Sequence, residues 1–419
     1  MGSPTLTPAT ARRTGVVTGL GVVAPTGTST ADHWDAVLAG RSGIREITRF
    51  DASVYPVRHA GTIPEFESRT RVPDRLVPQT DRWTHFGLAA AEEALADADV
   101  DPAGLPEYEM AVVTASSSGG VEFGQREMES LYQHGPSWVS VYQSIAWFYA
   151  ATTGQISIRH GMRGTCGVLC GEQAGGLDAI GQGRRLLRQG TRLVVTGGTD
   201  ASLGPYGLVS QLRSGCVSTV DDPETAYLPF DRLPHGHLPG EGGAMVVVET
   251  EESASARGAG RGYGTVLGYA AGFDQSTTTG RPPVLARVIR QALDDARLDP
   301  SDVDVVFADA AGEHRRDRVE SAALAEVLGP GAVPVTAPKT LTGRLLAGGA
   351  ALDVATALLS LRDQVIPPTH GPIRLSPDHE IDLVQDEPRE VPLRHALVVA
   401  RGYAGFTGAL VLGRGDRTR

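Results

Sequence analysis

Two segments far apart in the chain read almost alike. Glu93–Pro102 is EALADADVDP and Gln291–Pro300 is QALDDARLDP, with the same residue at six of ten positions. Each closes a helical pattern, and each is followed by an apolar strand, Ala111–Thr114 in one case and Val305–Ala308 in the other. Further along, each half has a turn feeding a Gly/Ala-rich helix, QAGGLDAIG from Gln173 and RLLAGGAALDVATALL from Arg344. Repetition of a whole helix–strand unit predicts two related halves rather than one long domain. The small, polar stretch Thr250–Gly262 suits the connection between them and divides the chain into 14–255 and 256–415.

Within the first half, Thr14–Gly27 reads as a buried strand leaving through a Gly/Pro turn. A helix is expected over Thr80–Asp99 and a strand over Glu109–Thr114, ending in the Ser/Gly turn Ser116–Gly120. A second helix is expected from Gln173 to about Gln189, then strands at Thr191–Gly197 and Glu241–Glu249. This alternation predicts α/β layers.

Composition narrows the function. Of 419 residues, 41% are hydrophobic and 21% charged, which is ordinary for a globular chain. No apolar run is long enough to span a membrane. Met1–Arg13 lacks an apolar signal core, so the expected location is cytoplasmic, with no membrane partner. The net charge of −11 argues against nucleic-acid binding. Lys339 is the only lysine. Cys166, Cys170 and Cys216 are odd in number and lack zinc-site spacing, so inert buried thiols are expected and no metal.

Several motifs resemble the β-ketoacyl synthases of the thiolase superfamily. They are Val16–Gly27, Gly40-Arg41-Ser42-Gly43-Ile44, Phe50-Asp51, Ala60-Gly61, Pro229-Phe230-Asp231, Gly240-Glu241-Gly242-Gly243-Ala244 and Gly402-Tyr403-Ala404-Gly405. The resemblance runs from about Thr14 to Leu412. It implies an α/β thiolase-like fold, with two pseudo-repeated halves stacked as five α/β layers. It also implies a catalytic Cys at a strand-to-helix turn and two histidines from the second half.

None of those three residues is present. Gln173 stands where the family has its nucleophile, and a carboxamide cannot form a thioester. Cys170 is three residues too early to substitute and is expected in the core. Asp309 replaces the first histidine; His314 is out of register in a charged run and is expected to be solvated or at an interface. Lys339 keeps its place, and Arg344 replaces the second histidine. A guanidinium stays protonated and cannot be a general base. Arg344 and Asp309 are expected to pair across the vacated site.

The context Glu172-Gln173-Ala174-Gly175-Gly176-Leu177-Asp178-Ala179, with Val141–Ala150 and Gly154–Gly161, resembles the chain length factor, or ketosynthase β, of type II polyketide synthases. That resemblance implies a non-condensing subunit of an acyltransferase complex, paired with a ketosynthase α as a heterodimer. No dissociable cofactor is implied, since the substrate arrives on the phosphopantetheine of an acyl carrier protein. It also implies a chain-length tunnel walled by the helix after the Ser/Gly turn. There Val121, Gly124, Met128 and Leu131 share one face. A glycine costs a helix about 1 kcal/mol against alanine, so Gly124 makes sense if the space beside it is used. Tyr206 matches a further wall position and is large enough to close the far end. Shorter-chain members carry bulky aromatics at the positions of Val121, Gly124 and Met128. The alternatives are a malonyl-carrier-protein decarboxylase, making an acetyl primer with Gln173, and a purely structural homodimer.

Overall fold

The computed structural model describes residues 15–63, 66–259, 262–274, 281–403 and 405–416. The parts of the expectations that fall on residues 1–14, 260–261 and 404 lie outside it.

Eleven strands form one mixed sheet. In chain order they are β1 (Gly15–Val23), β2 (Met110–Ala115), β3 (Cys166–Leu169), β4 (Leu193–Asp200), β5 (Gly242–Thr250) and β6 (Gly264–Phe273). Then come β7 (Val305–Phe307), β8 (Pro334–Thr336), β9 (Asp382–Leu383), β10 (His395–Arg401) and β11 (Phe406–Arg414). Across the sheet the order is β9-β8-β7-β10-β11-β6-β1-β5-β4-β2-β3. The two halves therefore use one topology. The run β3-β2-β4-β5-β1 in the first matches β8-β7-β10-β11-β6 in the second, parallel and antiparallel pairings included. They join where Gly15–Val17 of β1 pair antiparallel with Gly264–Val266 of β6.

The repeated decapeptide does the same work twice. It ends helix α1 (Arg82–Asp97) in the first half and its counterpart, Leu285–Ala296, in the second. Asp97 Oδ2 accepts the backbone N–H of Leu20 at 2.9 Å, and Asp295 Oδ2 accepts that of Tyr269 at 3.1 Å. One residue earlier in each strand is a glycine. An added Cβ at Gly19 would collide with the Ala94 carbonyl, and one at Gly268 with the Ala292 carbonyl. The matching alanines let helix and strand touch, so no side chain fits between them.

Five layers result. Helix α1 covers the outer face of the first-half strands, with Phe86, Ala90 and Leu95 in its core. Leu285–Ala296 covers the outer face of the second, through Leu285, Val288 and Ile289. Between the two sets of strands lie Gly175–Arg188 and Ala347–Asp363, and residues 347–361 of the latter are wholly buried. Among the described residues no helix is long and apolar enough to cross a membrane.

Three local expectations need correction. The first helix starts at Arg82, because the Asp81 side chain caps it by accepting the Trp83 N–H at 3.1 Å. The Thr250–Gly262 connection is partly helical over Glu251–Ala256. Thr250 caps it, and Glu251 and Glu252 sit in the first turn, where acidic side chains suit the helix dipole. Cys166 and Cys170 are exposed and Cys216 is half-buried. The two exposed thiols flank or lie in β3, which pairs only with β2 among the described residues and forms an open edge.

Candidate functional site

The loop after β7 and the turn before the central helix Ala347–Asp363 meet at one point. There Arg344 Nη2 donates to Asp309 Oδ1 at 2.9 Å, and Nη1 donates to the Asp309 carbonyl at 2.7 Å. Asp309 Oδ1 also accepts the Arg401 N–H at 2.9 Å. Both side chains are buried. Burial pushes the Asp309 carboxyl up, but the charge of Arg344, then those of Lys339 and Arg316, outweigh it and hold the group well below the carboxylate range. The pair expected from the sequence is thus present as a charged one. Lys339 is buried beside it, its Nζ 2.6 Å from Asp353 Oδ2. Glu320 accepts the N–H groups of Asp309 and Ala310 at 2.6 and 2.9 Å.

Gln173 lies in the tight turn Glu172–Ala174 ahead of the central helix Gly175–Arg188. Its side chain is fully buried and neither polar atom has a hydrogen-bond partner. It packs against Gly349, where an added Cβ would run into the carboxamide. Its neighbour Glu172 instead lines an adjoining cavity. Glu172 Oε2 accepts the Tyr403 N–H at 2.6 Å.

That cavity has a volume of about 930 Å³. Val121, Gly124, Met128 and Tyr206 all line it, together with Arg344. Leu131, expected on the same helical face, does not. The first three belong to α2 (Val121–His134). Gln173, Asp309 and Lys339 stay behind the wall. Tyr206 is exposed at the cavity's edge, its N–H donating to Gln125 Oε1 at 2.9 Å. The side-chain direction of Gly124 is not empty, although its backbone lines the cavity: an added Cβ would meet Trp147 Cδ1 at 3.1 Å. Its lack of a side chain makes room for an indole that also lines the cavity. His237 is the cavity's imidazole. Burial, then the charge of Arg344, pushes its pKa down to about 3, so it is neutral at working pH.

Two buried carboxyl groups hold this wall. Asp81 Oδ2 accepts the Phe123 N–H at 2.6 Å and so ties the start of α2 to α1. Asp200, at the end of β4, accepts from Ser116 Oγ at 3.0 Å, Ser118 N at 3.1 Å and Ala347 N at 2.9 Å. It joins the Ser/Gly turn to the central helix. Burial pushes Asp81 up to about 7 and Asp200 up to about 6, against the pull of those N–H donors. Sequence reading missed both, along with Glu172 and Trp147. Backbone strain collects here too. Glu172, Ala310 and Leu346 have φ of 48°, 48° and 52°, and a non-glycine residue in such a conformation costs about 1–3 kcal/mol.

The site thus brings together a buried carboxamide, a buried ion pair and an open cavity. No cluster of three His, Cys, Asp or Glu side chains among the described residues suits a metal ion. Residues 14–254 match the beta-ketoacyl synthase N-terminal domain and residues 263–371 the C-terminal domain. The chain belongs to the beta-ketoacyl synthase family. Within it the likeness is to the β subunits. The chain is 58% identical over 400 residues to the tetracenomycin polyketide synthase ketoacyl synthase beta subunit of Streptomyces glaucescens, covering 95% of this chain and 98% of that one. Among solved structures it resembles the ishigamide ketosynthase/chain length factor, with a TM-score of 0.87 and 28% identity over 96% of this chain and all of that one. A beta-ketoacyl synthase from Burkholderia phymatum gives a TM-score of 0.88 at 26% identity over 97% of this chain and all of that one.

Proposed function

We propose that this chain is the non-condensing subunit of a type II polyketide ketosynthase heterodimer, and that Val121, Gly124, Met128 and Tyr206 wall the tunnel that sets polyketide chain length. One observation carries the reading. The reactive positions hold a buried carboxamide and a buried ion pair, while a cavity of about 930 Å³ is kept open beside them. A thioester-forming nucleophile and a proton-transferring histidine are both needed for condensation, so chemistry falls to a partner and shape falls to this chain. Several features support a partner surface. The edge strand β3 is open, and Tyr132, Trp138, Val141, Trp147, Phe148 and Ile158 are exposed in the segment before it. An acyl carrier protein would deliver the chain on its phosphopantetheine arm, with no other cofactor.

The decarboxylase alternative has the burial of Gln173 against it, since the carboxamide does not reach the cavity. The test is co-expression with a ketosynthase α that carries Cys and both histidines, followed by native mass spectrometry and product analysis. A 1:1 complex whose product length follows substitutions at Met128 is the expected result. Absence of a complex, or condensation by this chain alone, would refute it.

A further inference from the structure

We propose that Glu172 is the resident anion of a site that would otherwise accept a ligand carboxylate, and that it closes this subunit to malonyl-type thioesters. This rests on the non-condensing reading above and explains how the vacated site is kept inert. Glu172 sits in a left-handed turn, φ 48°, and its carboxylate lies on the cavity wall. Oε2 takes the Tyr403 N–H at 2.6 Å. The backbone beside it is bare, because an added Cβ at Gly402 would stand 2.9 Å from that oxygen. Arg344 and Arg316 line the same cavity.

Both guanidinium groups are fixed. Arg316 Nη2 donates to the Gly402 carbonyl at 2.8 Å, and Arg344 donates to Asp309. Burial opposes the charge of Arg344, but Asp309, then Tyr227 and then Glu172 outweigh it and keep the guanidinium protonated. A backbone N–H turned toward the cavity, a bare glycine beside it and the Arg316 guanidinium on the same wall together make a carboxylate receptor, and the N–H is already taken by Glu172. Glu172 fills it from within. A malonyl carboxylate entering the cavity would have to displace that carboxylate and would meet its negative charge. Gln173, the residue that a decarboxylation mechanism would call on, is buried one position away.

Malonate is the probe, titrated calorimetrically into the heterodimer with its ketosynthase partner. The wild type should show only the partner's binding. Glu172→Gln removes the charge but keeps an acceptor for the Tyr403 N–H, whereas Glu172→Ala removes both. Each should add one malonate site per heterodimer, about tenfold or more tighter than any residual binding by this subunit. Unchanged stoichiometry in variants that melt like the wild type would overturn the proposal. A second measurement needs no variant: wild-type crystals soaked in malonate should show none at the Tyr403 N–H, and malonate found there would also overturn it. Product length in Met128 variants reports on the tunnel separately, so a failure of either idea is recognisable as its own.

Discussion

Arg344 and Asp309 meet at 2.9 Å with both side chains buried, and each also binds backbone. Asp309 comes from the loop after β7 and Arg344 from the turn before the central helix, so the pair fastens two elements of the second half beside the cavity. A buried pair is weak evidence of net stability, yet breaking it leaves an uncompensated charge. Arg344→Ala or Asp309→Ala alone should cost about 3–5 kcal/mol. The double variant should cost less than the sum, with a coupling of about 0.5–3 kcal/mol. Denaturant melts of the four proteins check this; additive losses would mean that the two residues act apart.

Met128 is half exposed where it lines the cavity. Met128→Phe should keep the fold within about 0.5 kcal/mol and shorten the longest product of the reconstituted pair. Gly124→Phe is a different case, because Trp147 already stands against it. It should cost about 1–3 kcal/mol as overpacking while pushing the indole into the cavity. Mass spectrometry of products beside a melt of each variant separates the effects. Stable Met128→Phe protein with unaltered products would remove α2 from the tunnel wall. With small or flexible residues at Val121, Gly124 and Met128, the wild-type product should be longer than those of the shortest-chain relatives.

Burial pushes Asp81 up to about 7, above the ordinary 3.8. The folded chain therefore keeps a proton that the unfolded chain has lost between those values. This group's contribution is full below about pH 4 and falls away as the pH rises through about 7, at up to about 1.4 kcal/mol per pH unit. Asp81→Asn should flatten the dependence of stability on pH by about that slope across the window. Denaturant melts from pH 4 to 8 measure it. A slope equal to the wild type's would show that the carboxyl does not titrate there.

Cys166 and Cys170 are exposed at the open sheet edge. If that edge receives the partner, alkylation of both thiols by iodoacetamide should be fast in the free chain and about tenfold or more slower in the heterodimer. Equal rates in the two states would place the interface elsewhere.

Much of this architecture was legible because it rests on backbone demands that only certain residues meet. The glycines and alanines that let a helix touch a strand recur in both halves, and Asp97 and Asp295 repeat with them. The pairing of Asp309 with Arg344 was equally legible, since opposite charges expected at one buried point have to meet. What could not be read was which way a side chain faces. Gln173 and Glu172 are neighbours, but only the left-handed backbone at Glu172 puts that residue on the wall and leaves Gln173 behind it. Gly124 suggested a void, and Trp147, more than twenty residues on, fills it. Cys170 looked like a core thiol because the apolar run before it hides the fact that its strand is the last in the sheet.

Lys339, the chain's only lysine, is almost wholly buried and ion-paired with Asp353. Every other cationic side chain of this type is an arginine. The protein's one lysine side chain is therefore withheld from solvent in the fold. Reagents and enzymes that acylate lysine, including those that attach degradation tags, find nothing to act on until the chain opens around the Lys339–Asp353 pair. A label on this lysine would thus report opening of the fold around the Lys339–Asp353 pair.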